Sequence, residues 1–220
     1  MQKQLETYYP FWKQLTREEQ DLFCSCSRIQ NYEKDQFIHG GEDECLGILL
    51  VLEGQVRVYI QSEEGKQVTL LRLGKGQIYS LSASCVVQEI SFEILAEAAQ
   101  ETQVVITSTC YIKKLMKERV FVENFIYRQT VEGFSDIMWA MSEILFKSFD
   151  KRLAGYLEEE RIRRKSPVIH ETHDEIAKNM GSAREVVSRM LKYFEKEGMV
   201  SLSRGAVTIV SPEKLRRLLF

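Results

Sequence analysis

An α+β fold is what this 220-residue sequence predicts, an antiparallel β-roll followed by helices, and three observations carry it. From about Ile29 to Tyr79 apolar and polar residues alternate, at Val56, Val58 and Ile60 and again at Val68 and Leu70. From about Tyr111 the apolar spacing changes to threes and fours, and no proline stands between Pro10 and Pro167. Finally, Thr172 to Val200 reads as two capped helices about a tight glycine turn, a helix-turn-helix.

Taken in order, residues 5–23 read as a short helical segment with Phe11, Leu15, Leu22 and Phe23 as apolar contacts. Thr16, ahead of Arg17-Glu18-Glu19-Gln20, is its cap. Turn signals at Gly40-Gly41, Gly54, Ser62 to Lys66 and Gly74 to Gly76 divide the following stretch into short strands. Two further strands are expected near Glu89–Leu95 and Gln103–Thr109.

A short helical turn, IKKLMKE, leads to a long helix from roughly Val120 to Ser148. Ile126, Gly133, Ile137, Ala140, Met141 and Ile144 recur at helical steps; Phe121, Phe125, Phe134, Met138, Leu145 and Phe149 form another apolar stripe. A helix apolar on more than one side needs more than one cover. One stripe suits the strands of its own chain. The other suits a second copy, and the first-named six residues are the expected dimer seam.

Phe149 to Arg164 reads as a helix with Leu153, Ala154 and Leu157 inward, ended by Pro167. Thr172-x-x-Glu175 and Ser182-x-x-Glu185 have the capping-box form and open the two helices that follow. On the second of these, Val186, Val187, Met190, Leu191, Tyr193 and Phe194 share one arc; Arg184, Glu185, Ser188, Arg189, Lys192 and Lys196 fill the other. Arg pairs bidentately with guanine, Glu accepts from cytosine and Ser serves either sense, so Arg184, Glu185, Ser188 and Arg189 are candidate base readers. Thr172, Ser182 and Lys192 are candidate phosphate contacts, as is Arg204 in the wing hairpin about Ser203-Arg204-Gly205. Pro212 to Phe220 is expected to be a short helix whose Lys214, Arg216 and Arg217 form a solvated face.

The run GSAREVVSRMLKYFEKEGMV resembles the recognition helix of the CRP/FNR family of bacterial transcription regulators, roughly G-x-S-R-E-x-V-S-R before an apolar helix, a glycine and a β-wing. Gly181, Arg184, Glu185, Val187, Ser188 and Arg189 match; Ala183 replaces the usual Ser. The strand region, with LGILLVLEGQVRVYI at its centre, is similar to that family's cyclic-nucleotide-binding-like, cupin-like β-roll. The resemblance implies a sensor β-roll over residues 1–110, a linker and long dimerisation helix over 111–148, and a winged helix-turn-helix over 149–220. It implies a homodimer on double-stranded DNA at a palindromic TTGAT- or TGTGA-like site, an unidentified small effector or redox signal, and RNA polymerase as a candidate partner.

Charge is split along the chain. Residues 1–146 hold 14 Lys/Arg against 21 Asp/Glu, and residues 147–220 hold 16 against 11. A basic C-terminal third suits phosphate contact and an acidic body discourages unproductive docking. No apolar run approaches membrane-spanning length and the N-terminus lacks a signal-peptide core, so a cytoplasmic protein without a membrane partner is expected.

In the cyclic-AMP-dependent branch, the resemblance would place an Arg in a G-E-x-x…R-[ST]-A cassette after the strand holding Ile78. Here that stretch reads GKGQIYSLSASCVVQEISFEILAEA, and Gly76 to Ile112 contains no Lys or Arg. A buried phosphate without a cation is costly, so no cyclic nucleotide is expected through that cassette. Ser80, Ser82, Ser84 and Cys85 form a candidate effector loop. Five cysteines (24, 26, 45, 85 and 110) suffice in number for an iron–sulfur cluster, but the C-x-C of Cys24 and Cys26 does not fit the wider cysteine run of the cluster branch. No cofactor is expected. His39, His170 and His173 have no metal-ligand spacing, and no metal site is expected. No G-x-S-x-G, P-loop, HExxH or paired-Cys pattern points to an enzyme. The competing reading is a ligand-binding or scaffold module whose C-terminal domain binds protein.

Overall fold

The computed structural model describes residues 1–39, 47–65, 67–80 and 94–219. They form two compact units, Met1–Ile60 with Leu70–Met138, and Gln61–Thr69 with Trp139–Phe220.

The first unit opens with α1 (Gln2–Tyr8), a 3-10 turn (Trp12–Gln14) and α2 (Arg17–Ser25). The single segment expected over 5–23 is therefore broken. Pro10 disfavours helical backbone at the residue before it, and Tyr9 is extended at φ −97°, ψ 106°. Thr16 starts α2 through a reciprocal box with Glu19. Phe11, Leu15 and Phe23 are buried, whereas Leu22 is exposed.

Strands β1 (Ser27–Tyr32), β2 (Phe37–His39), β3 (Ile48–Glu53), β4 (Val56–Gln61), β5 (Gln67–Leu73), β6 (Ile78–Ser80), β7 (Leu95–Ala98) and β8 (Thr102–Thr107) build two sheets, ordered β1-β8-β3-β6 and β2-β7-β4-β5. Strand β3 is buried from Ile48 to Leu52 because both its faces are covered. Leu49 and Val51 join Val56, Val58, Ala96 and Ala98 between the sheets. The alternate residues Ile48, Leu50 and Leu52 join Phe11, Trp12, Phe23 and Ile112 in a second core under the helices. Fully burying each such aliphatic side chain is worth about 1.5–3 kcal/mol. The sheet order β2-β7-β4-β5 also carries an ion pair: Arg57, 2% exposed, donates to Glu97 Oε1 at 2.8 Å and lies over the Tyr59 ring. The Gly40-Gly41 turn and most of the strand expected near Glu89–Leu95 lie outside the described residues; β7 starts at Leu95.

Helix α3 (Thr109–Glu118) leads to α4 (Val120–Phe146), close to the expected span. Its two apolar stripes have different fates. Ile126, Gly133, Ile137 and Ala140, four of the six expected seam residues, are buried within their own chain; Ile144 is half-buried and Met141 exposed. The exposed large apolar residues of the helix are Val120, Tyr127, Val131, Phe134, Met138, Trp139, Met141, Leu145 and Phe146.

The second unit contains α5 (Phe149–Arg164), β9 (Val168–Ile169), α6 (His173–Met180), α7 (Arg184–Lys196), β10 (Val200–Ser203), β11 (Ala206–Ile209) and α8 (Pro212–Leu219). Its strands are ordered β10-β11-β9. Leu153, Ala154, Leu157, Ile176, Val187, Leu191, Phe194, Val207 and Leu215 form its core. No helix among the described residues is long and apolar enough to cross a membrane.

Candidate nucleic-acid interface

Helix α6 starts where the sequence signals it. Thr172 N–H donates to Glu175 Oε2 at 2.7 Å, and Glu175 N–H donates to Thr172 Oγ1 at 3.2 Å. The Thr172 hydroxyl also donates to Glu175 Oε2 at 3.0 Å, so both polar groups expected to meet phosphate are engaged in the cap. Gly181 closes the helix at φ +61°, a left-handed backbone that glycine adopts without penalty.

The second box does not form. Ser182 N–H donates to Ala177 O at 3.0 Å, which makes Ser182 part of the turn that closes α6. Helix α7 starts one residue later, with Ala183 at the N-cap and no side-chain cap. Glu185 is thereby the second helical residue instead of the third, out of register for the reciprocal bond.

Val187, Leu191 and Phe194 are fully buried and anchor the inner face of α7. Tyr193, assigned by sequence to that arc, is exposed. On the outer face Arg184, Glu185, Ser188, Arg189 and Lys192 line one open depression of about 420 Å³. All four expected base readers and one phosphate candidate are thus brought together. Arg184 is not free: its Nη1 lies 3.3 Å from Oδ2 of Asp174, on the first turn of α6. Arg204 is exposed at the tip of the β10–β11 hairpin, next to Gly205 at φ +73°. Leu202 N–H donates to Glu195 Oε1 at 2.8 Å and ties that hairpin to α7.

Sequence reasoning missed the buried carboxylates that brace this unit. Glu158 accepts from Arg161 Nε at 2.7 Å and Nη2 at 2.9 Å and from Arg216 Nε at 2.7 Å. The Arg161 hydrogen bonds, then Arg216, hold its carboxyl below the usual range against the opposing effect of burial. Glu160 pairs with Arg163 and Arg164. Glu171 joins Arg164, Tyr156 and Asn179. Lys214 donates to Glu197 O at 2.8 Å, at the C-terminus of α7. Lys214 and Arg216 are both exposed, in keeping with the expected solvated face, and each also bonds back to its own unit. A Glu-x-Glu-Arg-x-Arg-Arg run in a helix with inward Leu157 was the available signal.

Of the candidate effector loop, Ser80 ends β6, paired with Ile48, while Ser82, Ser84 and Cys85 lie outside the described residues. Cys24 and Cys26 are half-buried and Cys110 exposed. Among the described residues no group of three or more His, Cys, Asp or Glu is placed to hold a metal.

The pattern of a Crp-like helix-turn-helix domain matches residues 151–218. A solved structure described as a transcriptional regulator of the CRP/FNR family, from Eubacterium rectale, is 39% identical, with 97% of this chain and 99% of that one covered and a TM-score of 0.93. The Cyclic AMP receptor protein of Thermus thermophilus is 24% identical over 96% of this chain and 97% of its own. The c-di-GMP responsive global regulator CLP of Xanthomonas campestris, 15% identical, shares the fold at a TM-score of 0.73 over 89% of this chain and 100% of that one.

Proposed function

The chain belongs to the CRP/FNR family of transcription regulators, and from that premise we propose that it reads a palindromic DNA site as a two-fold dimer. The observation that carries the reading is the outer face of α7, where Arg184, Glu185, Ser188, Arg189 and Lys192 share one depression while Val187, Leu191 and Phe194 fix the helix from behind. Base edges would be met by the N-terminal half of α7, with Lys192, Ser182 and Arg204 toward phosphates. Glu185, Ser188 and Arg189 suit a TTGAT-like half-site; Arg184 adds the option of a TGTGA-like one.

The dimer rests on α4. Tyr127, Val131, Phe134, Met138, Met141 and Leu145 are all exposed and follow one another at steps of four and three, the heptad spacing of a helix that meets its own copy. Of the six residues expected from sequence this seam keeps Met141 and leaves out half-buried Ile144 and buried Ile126, Gly133, Ile137 and Ala140. Two such protomers would set half-site centres about 34 Å apart. In this reading residues 1–110 sense a small effector or redox signal, 111–148 carry it, and 149–220 bind DNA; RNA polymerase is the partner that would convert binding into regulation.

Selection of sites from a random DNA pool by the purified protein, with and without air, tests the reading. A palindrome with a G·C pair fixed in each half is the expected result, and loss of enrichment in air would assign the signal to thiols. Enrichment of single, unpaired half-sites would overturn the dimer, and no enrichment in either condition would overturn base reading by α7.

A further inference from the structure

Asp174 and Arg184 connect the leading ends of the two helices of the motif. Their side chains are 63% and 64% exposed, and at that exposure an ion pair contributes little to stability. What the pair decides is where a guanidinium points. Guanine recognition uses the Arg fork, two parallel N–H groups aimed at O6 and N7. In this chain the Asp174 carboxylate faces one arm of that fork at Nη1. Arg184 must leave Asp174 to present both arms of its fork to guanine, and the abandoned carboxylate then loses this counter-charge. Glu185, which follows Arg184 in the chain, is a second carboxylate on the first turn of α7. Arg189 carries no such restraint: it is exposed and, among the described residues, has no ion-pair partner.

We infer that Asp174 is a specificity-determining residue, which holds Arg184 as a counter-charge and leaves base reading to Glu185, Ser188 and Arg189. The inference rests on the base-reading role proposed for α7. It assigns the site to the half-site class without an Arg184-dependent guanine, and it gives Asp174, which itself touches no base, control over that choice.

Asp174→Asn keeps the side chain's size and removes its charge. Parallel selections from one random pool, with wild type, Asp174→Asn and Asp174→Asn/Arg184→Ala, are the test, followed by titration of duplexes with and without any G·C pair newly selected. The expected result is a core sequence common to all three proteins, with one additional G·C preference per half-site in Asp174→Asn alone. That preference should reach about fivefold in Asp174→Asn, the limit set by the worth of an exposed pair, and be absent from wild type and the double variant. Equal strengthening of binding to both duplexes by Asp174→Asn would overturn the inference, because it would mean simple relief of phosphate repulsion. A G·C preference of wild type that is lost in Asp174→Asn/Arg184→Ala would overturn it too. Failure of wild type to enrich any sequence would overturn the base-reading role and this inference together; a common core with unchanged profiles overturns this inference alone.

Discussion

A Cβ atom on Gly133 would lie 2.9 Å from Cε2 of Tyr79, so α4 meets β6 at a distance only glycine permits. Alanine in a helix interior gains about 1 kcal/mol over glycine in propensity, but overpacking a buried contact costs about 1–3 kcal/mol. Tyr79 is a ring held among other buried residues and has little room to yield. Gly133→Ala should therefore lower stability by about 1 kcal/mol and Gly133→Val by more, read as a shift in urea midpoint. A midpoint that rises for Gly133→Ala would show that the ring moves aside.

The same tyrosine gives the first unit an alkaline limit. Burial, with Asp136 adding to it, pushes Tyr79 up to about 12; burial, then Glu19, does the same to Tyr111, and burial also raises Tyr9. A group whose folded pKa is raised supports the fold fully below its unfolded value, here 10.0, and loses that support as pH rises through the folded one. The urea midpoint should be flat from about pH 8 to 9.5 and fall from about pH 10 to 12. Tyr79→Phe should make that fall shallower; an identical fall would assign it to other groups.

Phe134 lies in the middle of the exposed heptad of α4 and is itself 57% exposed, outside the buried cores that α4 joins. Phe134→Lys should leave the helical circular-dichroism signal intact while sedimentation shifts from dimer to monomer. The matched change on the inward stripe, Ile126→Lys, should instead unfold the first unit. Should Phe134→Lys remain dimeric, the seam lies elsewhere.

Arg189 and Lys192 share a depression and should fail differently. Arg189→Ala should cost about 1–3 kcal/mol of binding and relax preference at one G·C pair. Lys192→Ala should weaken every duplex alike. Titration of each variant against a cognate and a single-substituted duplex separates the two, and uniform weakening by Arg189→Ala would remove it from the base-reading set.

Local chemistry was legible in this sequence wherever a residue acts on its near neighbours. Thr16 and Thr172 cap helices because their boxes close within three residues, and the spans of α4, α5 and α8 follow from apolar spacing and from Pro167 and Pro212. What resisted reading depends on partners far along the chain. The inward stripe of α4 is chosen by Tyr79 and the core around Ile126, and Arg57 finds Glu97 forty residues away. Arg216, exposed as expected, also reaches Glu158, 58 residues upstream. At the site itself, residue types and their common face were readable, but not the register of Ala183 at the N-cap nor the Asp174–Arg184 pair, since both are set by how α6 ends.

The carboxylates buried on α5 also change what the chain's charge is worth to DNA. Arg161 and Arg216 share Glu158, Arg163 and Arg164 share Glu160, and Arg164 also meets Glu171, so three carboxylates balance three of these four charges among the 16 basic residues of 147–220. Condensed cations leave the double helix only as phosphates are neutralised, and each phosphate contributes about −0.9 to the slope of log affinity against log salt. Charge already balanced by these carboxylates displaces none. The ionic-strength dependence of binding will therefore count the outer face of α7 and the hairpin tip, once per protomer, and will fall well short of the formal basic total.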